Sequence, residues 1–215
     1  MEQKSLGKRC VDVAMTQLGV RENPPHSNSG VAIRQYLIHC VRGDTDKPLY
    51  LHASNWCMAF QSWCQMKALS DDEIPAHGYR AGVIEAIADC TNDKYSGVWI
   101  PKSAAIRGDW EPEIGDLVIF DRSTGKPETS WWRHVSRISN VSGDVLETIG
   151  GNESDMVRIS EHKINERKIL GFIQYPRLVE DDVKFSLTDD EKQRIINNVS
   201  ISLQGIINES LILEK

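Results

Sequence analysis

The stretch HVSRISNVSGDVLETIG, residues 134–150, contains two runs rich in β-branched residues on either side of a short polar segment. Residues 134–141 and 145–150 favour strands, and the SGD between them is typical of a short hairpin turn. A turn of this kind joins antiparallel neighbours. This stretch therefore predicts an antiparallel sheet in the second half of the chain.

The sequence around this hairpin divides into a helical half and a strand half. DLVIF, at 116–120, is a continuous apolar run of the buried-strand type, and MVRIS (156–160) and KILGFIQYP (168–176) predict two more strands. Helical patterns precede them, at 5–20, at 31–41, from about 54 to 69 and at 79–90. Helices followed by antiparallel strands predict an α+β fold that ends at Pro176.

Composition excludes several classes of protein. The 215 residues carry a formal net charge of −6, which argues against a nucleic-acid-binding protein. No apolar run approaches the roughly 18 residues of a membrane span, and the start of the chain lacks the pattern of a signal peptide. We therefore expect synthesis in the cytoplasm, with any action on the cell wall or in the periplasm following release or delivery.

The cysteines and histidines do not form a recognisable metal or disulfide pattern. The five cysteines, at 10, 40, 57, 64 and 90, include no C-x-x-C pair, and the six histidines show no H-E-x-x-H spacing. We expect no disulfide framework, no metal site and no cofactor. The kind of site that these residues could still form is a catalytic cysteine–histidine pair.

The chain is predicted to consist of a domain over 1–177, an acidic linker over 178–187 and an amphipathic helix over 188–215. TDDE, at 188–191, fits a capping box that precedes regularly spaced apolar residues. Such a helix either packs on its own domain or serves as a surface for self-association or for a docking or immunity partner.

Cys57 is the candidate nucleophile. The segment ASNWCMAFQSWC, residues 53–64, predicts a helix that begins near Ser54–Trp56, with Ser54 or Asn55 as its cap. Cys57 then lies in the first turn, where unpaired N–H groups and the helix dipole stabilise a thiolate. Cys64 lies two turns further on and is expected to belong to the core.

His134 is the candidate base, and the hairpin predicts its neighbour. If Ser142-Gly143-Asp144 forms the loop, His134 faces Asn152; another loop choice moves the facing position to Gly151 or Glu153. An Asn carbonyl there could accept from the imidazole and fix its tautomer. Glu147 falls on the opposite face of the sheet and is rejected for this role. A cysteine and a histidine in a chain of this length are, by themselves, compatible with two core residues.

Several spaced motifs together resemble a known group of enzymes. Seven segments occur in the order seen in CHAP-type amidases. They are AMTQLGVREN, SNSGVAIRQYL, NWCMAFQSWC, WEPEIGDLVIFD, RHVSRI, TIGGNESDMVRIS and ILGFIQYP. The chain most resembles phage- and prophage-associated CHAP-like proteins within the NlpC-like cysteine peptidase superfamily, over residues 8–176. The resemblance implies a papain-like fold and hydrolysis of peptidoglycan amide bonds without a cofactor.

The resemblance also implies roles for individual residues. Cys57 is the implied nucleophile, His134 the general base and Asn152 the orienting residue. Many CHAP domains carry a Glu two positions before this Asn, where this chain has Gly150. The tryptophans next to the two catalytic candidates, Trp56, Trp131 and Trp132, are candidates to contact sugar or peptide, with packing in the interior as the alternative.

Three functional hypotheses are consistent with these features. The first is a peptidoglycan amidase or endopeptidase that acts as a phage-type lysin or an antibacterial effector. The second is an inactive wall-binding or interaction module, which Gly150 favours. The third is a thiol hydrolase that acts on an amide outside the cell wall.

Overall fold

The structure is a computed structural model that describes residues 4–40, 55–91, 95–126 and 132–178. Several sequence-based predictions concern residues outside these ranges. They concern the helix over 188–215, the linker over 178–187 except Leu178, the cap Ser54 and the candidate contact residue Trp131.

The described residues form five helices and six strands. The helices are α1 (Leu6–Met15), α2 (Val31–Leu37), α3 (Cys57–Ala68), α4 (Val83–Asp89) and α5 (Lys102–Arg107). The strands are β1 (Val98–Pro101), β2 (Leu117–Asp121), β3 (Arg133–Ser142), β4 (Val145–Gly150), β5 (Arg158–Lys163) and β6 (Ile169–Gln174).

All six strands belong to one antiparallel sheet with the order β1-β6-β2-β3-β4-β5. The predicted α+β class and the antiparallel hairpin of β3 and β4 are thus confirmed. Strands β2 and β3 are the two central strands of the sheet.

Strand β2 is buried on both faces of the sheet, which explains its uninterrupted apolar sequence. Leu117 and Ile119 pack in the larger core with α1, α2 and α3, whereas Val118 and Phe120 pack in a second core on the other face. Successive side chains of a strand point to opposite faces, so each of these cores receives alternate residues of β2.

Helix α3 lies in the middle of the larger core and contacts both β3 and β4. Eight of its residues are buried, including two glutamines. Gln61 donates to the carbonyl of Ile149, and the amide of Gln65 contacts the backbone of Ala76 and His77. These bonds satisfy the polar groups that burial would otherwise leave without partners, and the bond from Gln61 joins α3 to the sheet.

Two elements were not predicted from the sequence. Strand β1 has only four residues, ends in a proline and lies at the edge of the sheet, so it lacks the long apolar pattern of a central strand. Helix α5 has no buried residue and therefore no apolar periodicity. The first helix ends at Met15, before the predicted boundary at residue 20. Within the described ranges, none of the helices has the length and apolar character needed to cross a membrane.

Candidate active site

Cys57 is the first residue of α3, as its sequence context predicted. Only 5% of its surface is exposed, and its side chain lines a cleft of about 630 Å³. All five cysteines are buried and none forms a disulfide. The other four do not line this cleft, so Cys57 is the thiol placed to meet a ligand there.

The N-terminus of α3 differs in one respect from the prediction. Trp56 is the residue that caps the helix, and it makes no capping hydrogen bond through its side chain, so Asn55 is not the cap. The backbone N–H of Met58 instead donates to the Cys57 sulfur and lowers the pKa of the thiol. A free N–H at this position is an N-terminal donor that the sulfur can use as a thiolate.

His134, on β3, lies next to Cys57 and is buried, with 4% of its surface exposed. The side chains of Cys57 and His134 lie close enough that each shifts the pKa of the other. On the neighbouring strand, Phe120 pairs with His134 in the sheet register, and the two rings lie 6.1 Å apart. The central strands therefore hold the imidazole against the N-terminus of α3.

The pair is electrostatically poised as thiolate and imidazolium. Burial raises the pKa of Cys57, but the hydrogen bond and charge of His134, together with Arg122 and Met58, outweigh it and lower this pKa from 9.0. Burial lowers the pKa of His134, but its bonds to Cys57 and Glu153 outweigh burial and raise this pKa from 6.5. Each group thus stabilises the charged form of the other.

The carboxylate beside His134 belongs to Glu153, a residue that the sequence suggested only as one outcome of an alternative loop length. Glu153 Oε1 lies 3.4 Å from His134 Nε2. Ser136 donates to the same oxygen at 2.5 Å, and Ser160 donates to Glu153 Oε2 at 2.6 Å. Burial raises the pKa of Glu153, but these hydrogen bonds outweigh it and lower the pKa to about 2. Glu153 is therefore ionised in the folded protein at neutral pH.

The predicted contact between His134 and Asn152 is wrong. Asn152 lines the cleft, but its side-chain amide donates to Asn28 Oδ1 at 3.1 Å. Strand β4 ends at Gly150, and Asn152 adopts a positive φ of 59°, so the strand pairing does not continue to residue 152. This turn directs Glu153, and not Asn152, toward the imidazole.

The register of the hairpin explains how the prediction came close. The turn consists of Gly143 and Asp144, because Ser142 pairs with Val145. An irregularity between Ile138 and Asn140 then shifts the pairing by one residue. Arg137 faces Ile149, which is the register expected from a three-residue loop. Glu147 accepts a hydrogen bond from Ser139 and not from the histidine, in agreement with its rejection as the orienting residue.

Gly150 leaves the space that the carboxylate of Glu153 occupies. A Cβ atom on Gly150 would overlap Glu153 Oε1 and the hydroxyl of Ser136. The carboxylate of Glu153, which comes from three residues further along the chain, fills the space beside Gly150. The Glu153 carboxylate can therefore occupy this space because residue 150 has no Cβ atom.

The two described tryptophan candidates differ in their environment. Trp56 is fully buried, and its indole N–H donates to Glu22 Oε1 at 2.8 Å, so the expectation that it contacts substrate is wrong. Glu22 also accepts from the backbone N–H of Asn28, which in turn holds Asn152. Trp132 is 43% exposed and lines the cleft, as expected for a contact residue.

The described residues contain no group of three or more histidine, cysteine, aspartate or glutamate side chains arranged to hold a metal ion. The chemistry available from the described side chains is that of a buried, activated thiol beside an imidazole and a carboxylate. Such a constellation is suited to nucleophilic attack on an acyl carbon.

Comparison with known proteins finds no matching family model and no matching curated protein. Several solved structures show similarity, including two of Ly7917. A crystal structure of Ly7917 is 13% identical with a TM-score of 0.42, and it is matched over 80% of this chain and 63% of that chain. A structure of Ly7917 with "the hydrolyzing product of MDP" is 15% identical with a TM-score of 0.45, over 79% and 63% of the two chains. The chain therefore spans less than two thirds of those proteins.

Proposed function

We propose that this chain is a cysteine hydrolase of papain-like fold that cleaves amide bonds in the stem peptides of peptidoglycan. One observation carries the proposal. The Cys57 thiol sits at the N-terminus of a buried helix, lines a cleft and has a pKa lowered by its contact with His134. A structural core cysteine needs neither the cleft nor the imidazole, and its pKa is raised by burial, as that of Cys64 is.

The first half of the reaction is acyl transfer. The Cys57 thiolate attacks the amide carbonyl carbon, and a sulfur–carbon bond forms. The backbone N–H of Cys57, at the first position of α3, is a suitable donor to the developing oxyanion. The His134 imidazolium then gives its proton to the amine nitrogen as the carbon–nitrogen bond breaks.

The second half regenerates the thiolate. His134 is neutral after the first half of the reaction. Water attacks the thioester carbonyl and gives a proton to the neutral imidazole, and the carbon–sulfur bond breaks. Glu153 faces Nε2 of His134, which leaves Nδ1 as the ring nitrogen available to the thiol. The carboxylate orients the ring and stabilises the imidazolium, which is the third role in such a triad.

The substrate class comes from the sequence motifs that resemble CHAP-type amidases. Gly150 favoured the alternative of an inactive wall-binding module, because it removes a carboxylate from the usual position. The ionised carboxylate of Glu153 in that region supports an active site instead. A hydrolase acting on an amide outside the cell wall would use the same residues and would differ in substrate.

Incubation of the purified protein with isolated sacculi tests the proposed function. We expect soluble fragments whose masses correspond to one broken amide bond, with new amine and carboxylate ends and no new reducing sugar ends. Protein pretreated with iodoacetamide is the control and should release none. Binding to sacculi without release would support the inactive module, and neither binding nor release would exclude peptidoglycan as the substrate.

Replacement of Gly150 by alanine is expected to reduce kcat about 10- to 100-fold, because the new methyl group displaces the Glu153 carboxylate from His134. Glu153→Ala should have an effect of similar size. Because both changes act on the same contact, the double variant should be no worse than the more damaging single variant. Steady-state kinetics on a soluble muropeptide measures this, and additive losses would contradict the shared contact.

A further inference from the structure

A second cationic side chain in the cleft takes no part in the proton transfers or bond changes described above. Arg122 follows the last residue of β2, and its backbone N–H donates to the carbonyl of Trp132 at 3.1 Å. Its side chain is exposed and lines the same cleft as Cys57 and His134. The positive charge is close enough to lower the pKa of both groups.

The two arginines in the cleft differ in their partners. The guanidinium of Arg133 lies 3.1 Å from Asp121, so its charge is balanced within the protein. For Arg122, no side chain in the described part of the chain forms an ion pair or a hydrogen bond with the guanidinium. A guanidinium offers five donors in a planar fork that matches the two oxygens of a carboxylate.

Two other residues of the cleft offer apolar surface to a ligand. Trp132 and Ile84 are both about half exposed and line the cleft, where they offer apolar surface. A ligand that rests on these residues while its reacting amide meets Cys57 would bring a neighbouring group to Arg122. An anionic group at that point gains a charge-assisted hydrogen bond.

We propose that Arg122 binds a free carboxylate of the substrate close to the cleaved amide, and that the protein therefore prefers acidic peptides to the same peptides with that carboxylate amidated. This proposal rests on the proposed function for its substrate, but the anion site itself does not depend on hydrolysis. Arg122 is thus a specificity-determining residue and not a member of the proton-transfer pair.

Alkylation of Cys57 by two reagents of similar shape tests the anion site without any turnover. Iodoacetate carries a carboxylate, and iodoacetamide carries a neutral amide in its place. Both react with the thiolate, so the ratio of their rates cancels the thiolate fraction and reports the local attraction for an anion. The Arg122→Gln variant is expected to lower this ratio about three- to fivefold relative to wild type.

Two further variants serve as controls for the ratio. Arg122→Lys keeps the charge and should change the ratio less than twofold. Arg133→Gln removes one charge from the same cleft, but one that Asp121 already balances, and should also change the ratio less than twofold. If Arg122→Gln and Arg133→Gln lowered the ratio equally, the effect would come from the overall charge of the cleft and not from a site at Arg122. An unchanged ratio in Arg122→Gln would also contradict the site.

A matched pair of substrates completes the experiment. For a muropeptide with a free carboxylate, Arg122→Gln should raise KM about 10- to 100-fold with kcat changed less than about threefold. For the same muropeptide with that group amidated, wild type and variant should have equal KM values. A lowered ratio with no cleavage of sacculi would refute the proposed function and retain the anion site. Cleavage of sacculi with no preference between the two muropeptides would retain the proposed function and refute the role of Arg122 in specificity.

Discussion

Replacement of Cys57 by alanine is expected to reduce hydrolysis of sacculi at least about 10⁴-fold, because none of the other described residues that line the cleft carries a thiol, a hydroxyl or an amine that could form the acyl intermediate. The fold should persist. Alanine is smaller than cysteine and apolar, and the contacts that fix α3, such as the bond from Gln61 to the carbonyl of Ile149, do not involve the thiol. The variant should therefore still bind to sacculi.

Cys64→Ala is the matched control for this experiment. Cys64 lies in the same helix, is fully buried and belongs to the larger core, but it does not line the cleft. We expect activity within about threefold of wild type and a Tm lowered by a few degrees, because a small cavity replaces the sulfur. If Cys57→Ala and wild type released equal amounts of fragments, the thiol mechanism would be wrong.

The second large effect concerns stability. Replacement of Arg137 by methionine is expected to lower the free energy of unfolding by about 3 kcal/mol, because three buried acceptors lose their donor. Arg137 is fully buried on β3 and donates to Gln61 of α3 at 3.0 Å, to the carbonyl of Gly115 at 2.7 Å and to the hydroxyl of Tyr175 at 2.9 Å. Its guanidinium also lies 4.4 Å from the centre of the Tyr175 ring.

Two effects oppose each other in that variant. Removal of the arginine relieves the desolvation of a buried charge, which is a gain, but methionine cannot replace the donors that join α3, the loop before β2 and the end of β6. We expect the loss to be larger. Arg137→Lys should also destabilise, because an ammonium cannot reproduce the planar fork. Urea unfolding followed by tryptophan fluorescence measures both variants.

Arg158→Met is the control for the stability measurement. Arg158 is an exposed residue at the start of β5, and its replacement should change the free energy of unfolding by less than about 0.5 kcal/mol. A change below about 1 kcal/mol in Arg137→Met, or a gain in stability, would show that the three bonds do not stabilise the packing of α3, the loop before β2 and the end of β6 around Arg137.

The parts of this structure that the sequence predicts are those with a strong local pattern. DLVIF indicated a buried strand because β2 is covered on both faces, and the two β-branched runs around Gly143 indicated the hairpin. The position of Cys57 followed from where the helical pattern of α3 begins. Each of these features depends on neighbouring residues alone.

The third member of the site could not be predicted in this way. Whether Asn152 or Glu153 faces His134 depends on the turn after β4, where residues 152, 154 and 155 all have positive φ values. Asparagine, serine and aspartate do not require that conformation, so the sequence does not reveal it. Trp56 presented a similar difficulty, because its burial depends on Glu22, a residue 34 positions away.

The pH dependence of Cys57 alkylation by iodoacetamide tests the central claim most directly. In the folded protein, the pKa of Cys57 is lowered from 9.0 and the pKa of His134 is raised from 6.5, and both shifts favour a thiolate–imidazolium pair. The account predicts that Cys57 reacts rapidly at mildly acidic pH, where the other four thiols, whose pKa values are raised, do not react. A rate for Cys57 that rises only near pH 9, or that matches the other four cysteines at pH 6, would contradict it.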